Sequence, residues 1–221
     1  MSEEPRRPRI AVVDYGAGNL VSIEQALTSV GAAVTVARDA APLAAADAIV
    51  VPGVGAAGPA MERLERRGLV DPIRAWVAAD RPFLGICLGL QLLFDGSDED
   101  GAITLGVLPG RTARLIDAPT LPHIGWNQVV RTREHPVFDG IADGADLYFV
   151  HSYAGAPALS AEDAILARTE HGRSFVSAVA VGRLLGVQFH PERSGTDGLR
   201  LLANFVGLVR SGAAAPAGVA A

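Results

Sequence analysis

The sequence predicts a three-layer α/β domain, with a mostly parallel central sheet, helices on both faces, and a β-rich segment added in the second half. Three observations predict it. Short apolar runs alternate with helix-patterned stretches through the first half of the chain. Those runs are apolar at consecutive positions, as in parallel strands covered on both faces. The second half is richer in strand-like runs than in helical ones.

The first run is Ile10-Ala11-Val12-Val13, which ends in Asp14-Tyr15-Gly16. A helix pattern follows from Asn19, with Leu20, Ile23, Leu27 and Val30 on one side and Gly31 as its stop. Val34-Thr35-Val36 reads as a second strand, and Ala48-Ile49-Val50-Val51 as a third, closed by Pro52-Gly53. Residues 59–79 are helical, broken near Gly68 and Asp71-Pro72. Phe83-Leu84-Gly85-Ile86 is a fourth strand, and residues 88–94 read as a helix. Further strands are expected over residues 106–115, 126–130, 147–151, 164–168, 175–181 and 184–189, with a hairpin turn at His171-Gly172-Arg173. The closing helix covers residues 198–209, with Leu199, Leu202, Phe205, Val206 and Val209 facing inward. No repeat or low-complexity linker interrupts residues 9–210, so they read as one domain. Residues 1–8 read as a solvated N-terminal arm and residues 211–221 as a frayed tail.

Bulk properties narrow the function. Hydrophobic residues make up 49% of the 221 and charged residues 19%, enough apolar material for a sizeable core. A formal net charge of -5 gives no global attraction to nucleic acid. No apolar run approaches the roughly 18 residues that a membrane helix needs, and the N-terminus does not read as a secretory signal. Cys87 is the single cysteine, so no intrachain disulfide or cysteine-based metal site can form. That usage fits a reducing cytoplasm.

Three motifs carry chemistry. Gly85-Ile86-Cys87-Leu88-Gly89 lies where a strand turns into a helix, the setting of a nucleophile elbow with cysteine in place of serine. Small residues two positions to either side relieve the crowding of that strained turn. The start of the next helix favours a thiolate and offers the Leu88 N–H to a developing oxyanion. Val187-Gln188-Phe189-His190-Pro191-Glu192 ends a strand, and residues two apart on a strand share a face. Glu192 can therefore fix the tautomer of His190, leaving the other ring nitrogen for Cys87. Pro52-Gly53-Val54-Gly55 follows the third strand at the same edge, where its backbone can supply a second oxyanion donor. Taken one by one, a buried structural cysteine, a strand-end histidine beside a solvated glutamate and an ordinary βα turn remain open readings. Gly16-Ala17-Gly18 is not a dinucleotide loop, because Val21 stands where the third glycine would fall.

Together these pieces resemble the class I, triad-type glutamine amidotransferases, whose domain is flavodoxin-like. The likeness runs from about Arg9 to Val209. It is carried by Gly85-Ile86-Cys87-Leu88-Gly89-Leu90-Gln91 and by Val187-Gln188-Phe189-His190-Pro191-Glu192. A finer resemblance is to the glutaminase subunits of imidazole glycerol phosphate synthases. It rests on Asp14-Tyr15-Gly16-Ala17-Gly18-Asn19, Pro52-Gly53-Val54-Gly55, Gln91-Leu92-Leu93-Phe94, Leu121-Pro122-His123-Ile124-Gly125-Trp126-Asn127 and Tyr148-Phe149-Val150-His151-Ser152-Tyr153. Ile124 stands where that subfamily often has methionine. The resemblance implies a catalytic Cys87, His190 and Glu192, and a substrate pocket from Gly53, Val54, Gly55, Leu88, Gln91, Ser152 and Tyr153. It also implies a heterodimer with a (β/α)8-barrel cyclase subunit, met by Asn19, His123, Ile124 and Trp126, in histidine biosynthesis. The substrate would be glutamine, and no metal or organic cofactor is called for.

Overall fold

The structure, a computed structural model, describes residues 6–212. The rest of the predicted arm and tail, residues 1–5 and 213–221, lies outside the described residues. The first half runs β1 (Arg9–Val13), α1 (Leu20–Ser29), β2 (Ala33–Ala37), α2 (Ala41–Ala44), β3 (Ala48–Gly53), α3 (Ala57–Arg66), α4 (Val70–Ala78), β4 (Phe83–Cys87) and α5 (Leu88–Gln91). The second half adds β5 (Gly96–Ser97), β6 (Gly110–Arg114), β7 (His123–Arg131), β8 (Ala145–His151), β9 (Tyr153–Pro157), β10 (Ile165–His171), β11 (Arg173–Val181), β12 (Leu184–Val187) and α6 (Gly195–Ser211).

A nine-stranded sheet in the order β2-β1-β3-β4-β12-β11-β10-β7-β8 spans the molecule. It is parallel from β2 to β12 and antiparallel from there to β8. The added β-rich segment therefore splits. Part of it extends the central sheet, and β5, β6 and β9 form a small sheet of their own. Successive side chains of β1 feed opposite layers, as the strand period of two requires. Ile10 and Val12 pack with Ile23 and Leu27 of α1 and Phe205 and Val206 of α6. Ala11 and Val13 pack with Leu64 of α3 and Ile73 and Trp76 of α4. Burying each large apolar side chain contributes about 1.5–3 kcal/mol, so a sheet covered on both faces stabilises from each side.

Several elements depart from the sequence reading, each for a local reason. Gly68, at φ 63, separates α3 from α4, but Asp71-Pro72 makes no second break. Pro72 sits in the first turn of α4, where its missing N–H has no helical partner to lose. The helix expected over 88–94 stops at Gln91. The carbonyls of Leu92, Leu93 and Phe94 instead accept from the N–H groups of residues 105–108, at 2.8–2.9 Å. That same docking delays the strand expected from residue 106 until Gly110. Strand β9 has no alternating pattern to betray it, because Gly155 packs on the Phe94 ring where any side chain would collide. In α6, Leu199 faces outward at 38% exposure and Leu201 inward at 0%. The hairpin at Gly172, φ 81, forms between β10 and β11 as expected. Arg6 is tied down, its guanidinium 2.9 Å from Asp47. No helix among the described residues is long and apolar enough to cross a membrane.

Candidate active site

Strands β1, β3, β4 and β12 are parallel neighbours, so the loops leaving their carboxyl ends meet at one edge of the sheet. Gly53 of β3 lies in register with Cys87 of β4, and Val187 of β12 with Ile86. Segments distant in sequence are thus brought within side-chain reach by strand pairing alone.

Cys87 adopts φ 53 and ψ -107, a region that a residue with a side chain rarely occupies. Its neighbours make the turn possible. A Cβ on Gly89 would collide with the Val51 carbonyl oxygen, and one on Gly85 would lie 2.6 Å from the Gly89 carbonyl oxygen. Both glycines are required by close packing of the turn, as the sequence reading held. The helix after Cys87 is shorter than expected. A four-residue α5 offers a single turn of free N–H groups, not the dipole of a long helix.

His190 and Glu192 meet, but not as residues on one face of a strand. Strand β12 ends at Val187, and Pro191 opens a 3-10 turn over Pro191–Arg193. That turn swings the Glu192 carboxylate back, with Oε1 2.9 Å from Nδ1 of His190. Nε2 of His190 is buried and makes no hydrogen bond of ordinary length and angle. Burial opposes a charge on this ring, yet Cys87 and Glu192 beside it prevail and raise its pKa to about 10. The imidazole is therefore protonated at neutral pH, next to the one thiol of the chain.

A chain of amides supports the thiol. Nε2 of Gln188 donates to Sγ of Cys87 at 3.5 Å. Oε1 of Gln188 accepts from Nε2 of Gln91 at 3.1 Å, and that same nitrogen donates to the Tyr153 carbonyl at 2.8 Å. The amide nitrogen of Gln91 is thus engaged within the protein, so this side chain holds the site's walls together. Gln188 was not among the expected site residues, although its place two residues before His190 in the same motif was the available signal. Ser152 and Tyr153 lie half-buried where β8 passes into β9. Beyond β3, Val54 is 47% exposed and Gly55 turns at φ 94 in open space. Leu88 opens α5 and is buried.

Of the expected partner contacts, three lie on the surface and one does not. Ile124 and Trp126 project from the same side of β7, at 59% and 56% exposure. Trp126 stands edge-on to Tyr148, whose ring also lies under the Arg193 guanidinium. Tyr148 in turn accepts from the His190 N–H through its backbone carbonyl at 2.8 Å. Asn19 is exposed, with its side chain capping α1 at the Ser22 N–H. His123 points inward from β7, 4% exposed. Its ring nitrogens face His151 and Asn127, each at 3.2 Å, and it stacks on His171. Its part is therefore to brace the strand from inside. Burial drives His123 down to about 4 and His151 to about 3, so both are neutral, and His151 is the one close enough to feel His190.

Tyr15, in the loop after β1, is the other group the sequence did not single out by itself. It is 1% exposed, and its hydroxyl lies against Gly53. The arrangement as a whole presents a thiol, a protonated imidazole fixed by a carboxylate, and glycine-flanked backbone at one strand edge. Such a set can attack an acyl carbon and protonate the group that leaves.

Comparison with known proteins agrees in both sequence and fold. Residues 11–208 match the family described as Glutamine amidotransferase class-I. A protein of Symbiobacterium thermophilum named imidazole glycerol phosphate synthase subunit HisH is 51% identical over 200 residues, 89% of this chain and 92% of that protein. The subunit of the same name from Moorella thermoacetica is 46% identical over 202 residues, covering 91% and 95%. Among solved structures, PurLQS from Thermotoga maritima superposes with a TM-score of 0.73 at 18% identity, over 91% of this chain and 99% of that one. The last likeness speaks to the fold alone. Family match, close relatives and the geometry around Cys87 converge on one conclusion: the chain belongs to the class I glutamine amidotransferases.

Proposed function

We propose that this chain is the glutaminase subunit of an imidazole glycerol phosphate synthase, hydrolysing glutamine and delivering the ammonia to a cyclase subunit for histidine biosynthesis. The observation that carries the reading is Cys87, held at φ 53 beside a histidine whose far nitrogen is 2.9 Å from Glu192. The relatives that match almost end to end bear that subunit's name.

In this mechanism the Cys87 thiolate adds to the side-chain amide carbon of glutamine. The N–H groups of Leu88 and Val54 receive the oxyanion, each such donor being worth about 3 kcal/mol. His190 gives its proton to the amide nitrogen as the C–N bond breaks and ammonia leaves. A water then loses a proton to His190 and attacks the thioester. Collapse of that second adduct expels the Cys87 thiolate and frees glutamate. Glu192 holds the imidazole orientation and supports its charge. Gly53, Gly55, Ser152 and Tyr153 line the glutamine pocket, and Gln91 shapes it through its bond to Tyr153.

The partner is a (β/α)8-barrel cyclase that docks over Asn19, Ile124 and Trp126 and forms a heterodimer. Two large apolar side chains exposed side by side on one strand suit such an anchor. The cytoplasm is the proposed location, in keeping with a lone free cysteine. The test is glutamate release from glutamine by this chain, alone and with the cyclase subunit and its nucleotide ligand. Activity that is low alone and rises by orders of magnitude with both supports the reading. Full turnover by the isolated chain, indifferent to either, would make it a free-standing glutaminase.

A further inference from the structure

Tyr15 occupies a place where a phenylalanine would fit at least as well if packing were its only task. Its side chain is 1% exposed, and the hydroxyl has no hydrogen-bond partner among the described residues. Buried hydroxyls are nearly always partnered, because water that would otherwise satisfy them is excluded. The hydroxyl is also not loosely placed. A Cβ built on Gly53 would strike it, and would lie 3.1 Å from the Leu88 Cβ. The oxygen therefore sits against Gly53 on the side that a Cβ would occupy, facing the same small space as the Leu88 Cβ.

The loop that carries Tyr15 is firmly anchored. The Asp14 carboxylate accepts from the Gly16 N–H at 2.9 Å and from Nε of Arg38 at 2.9 Å. Arg67 donates to the Asp14 carbonyl, and Arg63 to that of Gly16 at 3.3 Å. Gly18, at φ 97, comes so close that a Cβ there would lie 3.5 Å from the Gly53 Cα. Cys87 is near enough that its charge, after burial, helps to hold the Tyr15 hydroxyl protonated, so the group is a donor at every working pH. A fixed, buried, unused donor thus lies under a glycine backbone in register with Cys87.

We propose that Tyr15 is a positioning residue whose hydroxyl donates to the Gly53 carbonyl and so orients the Gly53–Val54 peptide for catalysis. The carbonyl and N–H of a trans peptide point in opposite directions. A carbonyl drawn inward to Tyr15 turns the Val54 N–H outward, toward the cleft from which substrate arrives. The bond forms when the site is occupied, and it gives the hydroxyl the partner it lacks at rest. The absence of a side chain at Gly53 is what lets the oxygen approach. This inference rests on the glutaminase reading above.

The test is Tyr15→Phe, measured in the complete two-subunit enzyme with the nucleotide ligand present. We expect kcat for glutamate release to fall at least tenfold while KM changes less than threefold. Alkylation of Cys87 by iodoacetamide, which needs no oxyanion donor, should keep its wild-type rate. The thermal midpoint should hold or rise, since the substitution removes an unpartnered buried group. Wild-type kcat in the variant would overturn the inference and leave Tyr15 a core residue. An equal fall in kcat and in alkylation would also overturn it, by showing damage to the thiol itself. A wild-type enzyme that releases no glutamate would sink the glutaminase reading and this inference with it.

Discussion

Nδ1 of His190 lies 2.9 Å from Oε1 of Glu192, with each side chain only 6% exposed. The second carboxylate oxygen of Glu192 is buried without a partner, so the histidine is its main compensation. His190→Ala should therefore abolish turnover and also lower stability by about 3–5 kcal/mol, because it strands a buried carboxylate. Glu192→Gln should be milder on both counts. The two losses should be far from additive in the double variant. Steady-state kinetics with urea unfolding checks all three, and additive losses in log rate would refute a joint role. The raised pKa also fixes a pH sign. Stability from His190 charge is full below about 6.5 and is lost as pH climbs toward about 10, a slope that Glu192→Gln should flatten.

Cys87→Ala should reduce glutamate release by about a million-fold, the scale seen when a nucleophile is removed from a triad. Binding of the cyclase subunit should persist, since Cys87 is 5% exposed and does not lie on the partner surface. Alanine keeps the Cβ and removes only the sulfur, so the strained turn and the fold should remain. Circular dichroism with a pull-down separates these outcomes.

Trp126→Ala should weaken docking of the cyclase by roughly 2 kcal/mol or more, the loss typical of an aromatic anchor. Its thermal midpoint should barely move, because the residue is 56% exposed and stands edge-on to Tyr148 at the surface. Calorimetric titration gives the affinity directly. Unchanged affinity would shift the anchor to Ile124 or elsewhere.

His135 predicts acid sensitivity away from the site. Burial, aided by Arg133, lowers it to about 4, against about 6.5 when unfolded. A depressed pKa stabilises above the unfolded value, and that stability is lost as pH falls toward the folded one. Between about pH 7 and pH 5 the expected loss is roughly 1–2 kcal/mol from this residue. Asn at this position can still accept from the Val137 N–H, as Nδ1 of His135 does at 3.1 Å. His135→Asn should therefore shrink the acid loss in urea midpoint without changing the midpoint near neutral pH. An unchanged pH slope would mean that His123 and His151 dominate.

How much of this was legible in the sequence depended on whether the governing contact was local. The elbow was legible because its constraints fall two residues either side of Cys87. The His190–Glu192 contact was anticipated for a wrong reason, since a proline-led 3-10 turn, not a strand, joins them. The inward place of His123 was hidden because strand direction in β7 is set by pairing with β8. The roles of Gln188 and Gln91 depend on each other across 97 residues, which no short motif displays. Strand β9 was invisible because its small residues answer to the Phe94 ring, not to a periodic pattern.

Strand β12 is last in the sequence but lies between β4 and β11, well inside the sheet. During synthesis the thiol of Cys87 emerges 101 residues before Gln188, and before the histidine that completes the site. Until then β4 has an open edge, and a chain cut short before β12 has both an unpaired strand and an inert cysteine. The order of synthesis thus delays the chemistry: the thiol is made early, and the group that must activate it arrives only with the last strand of the central sheet.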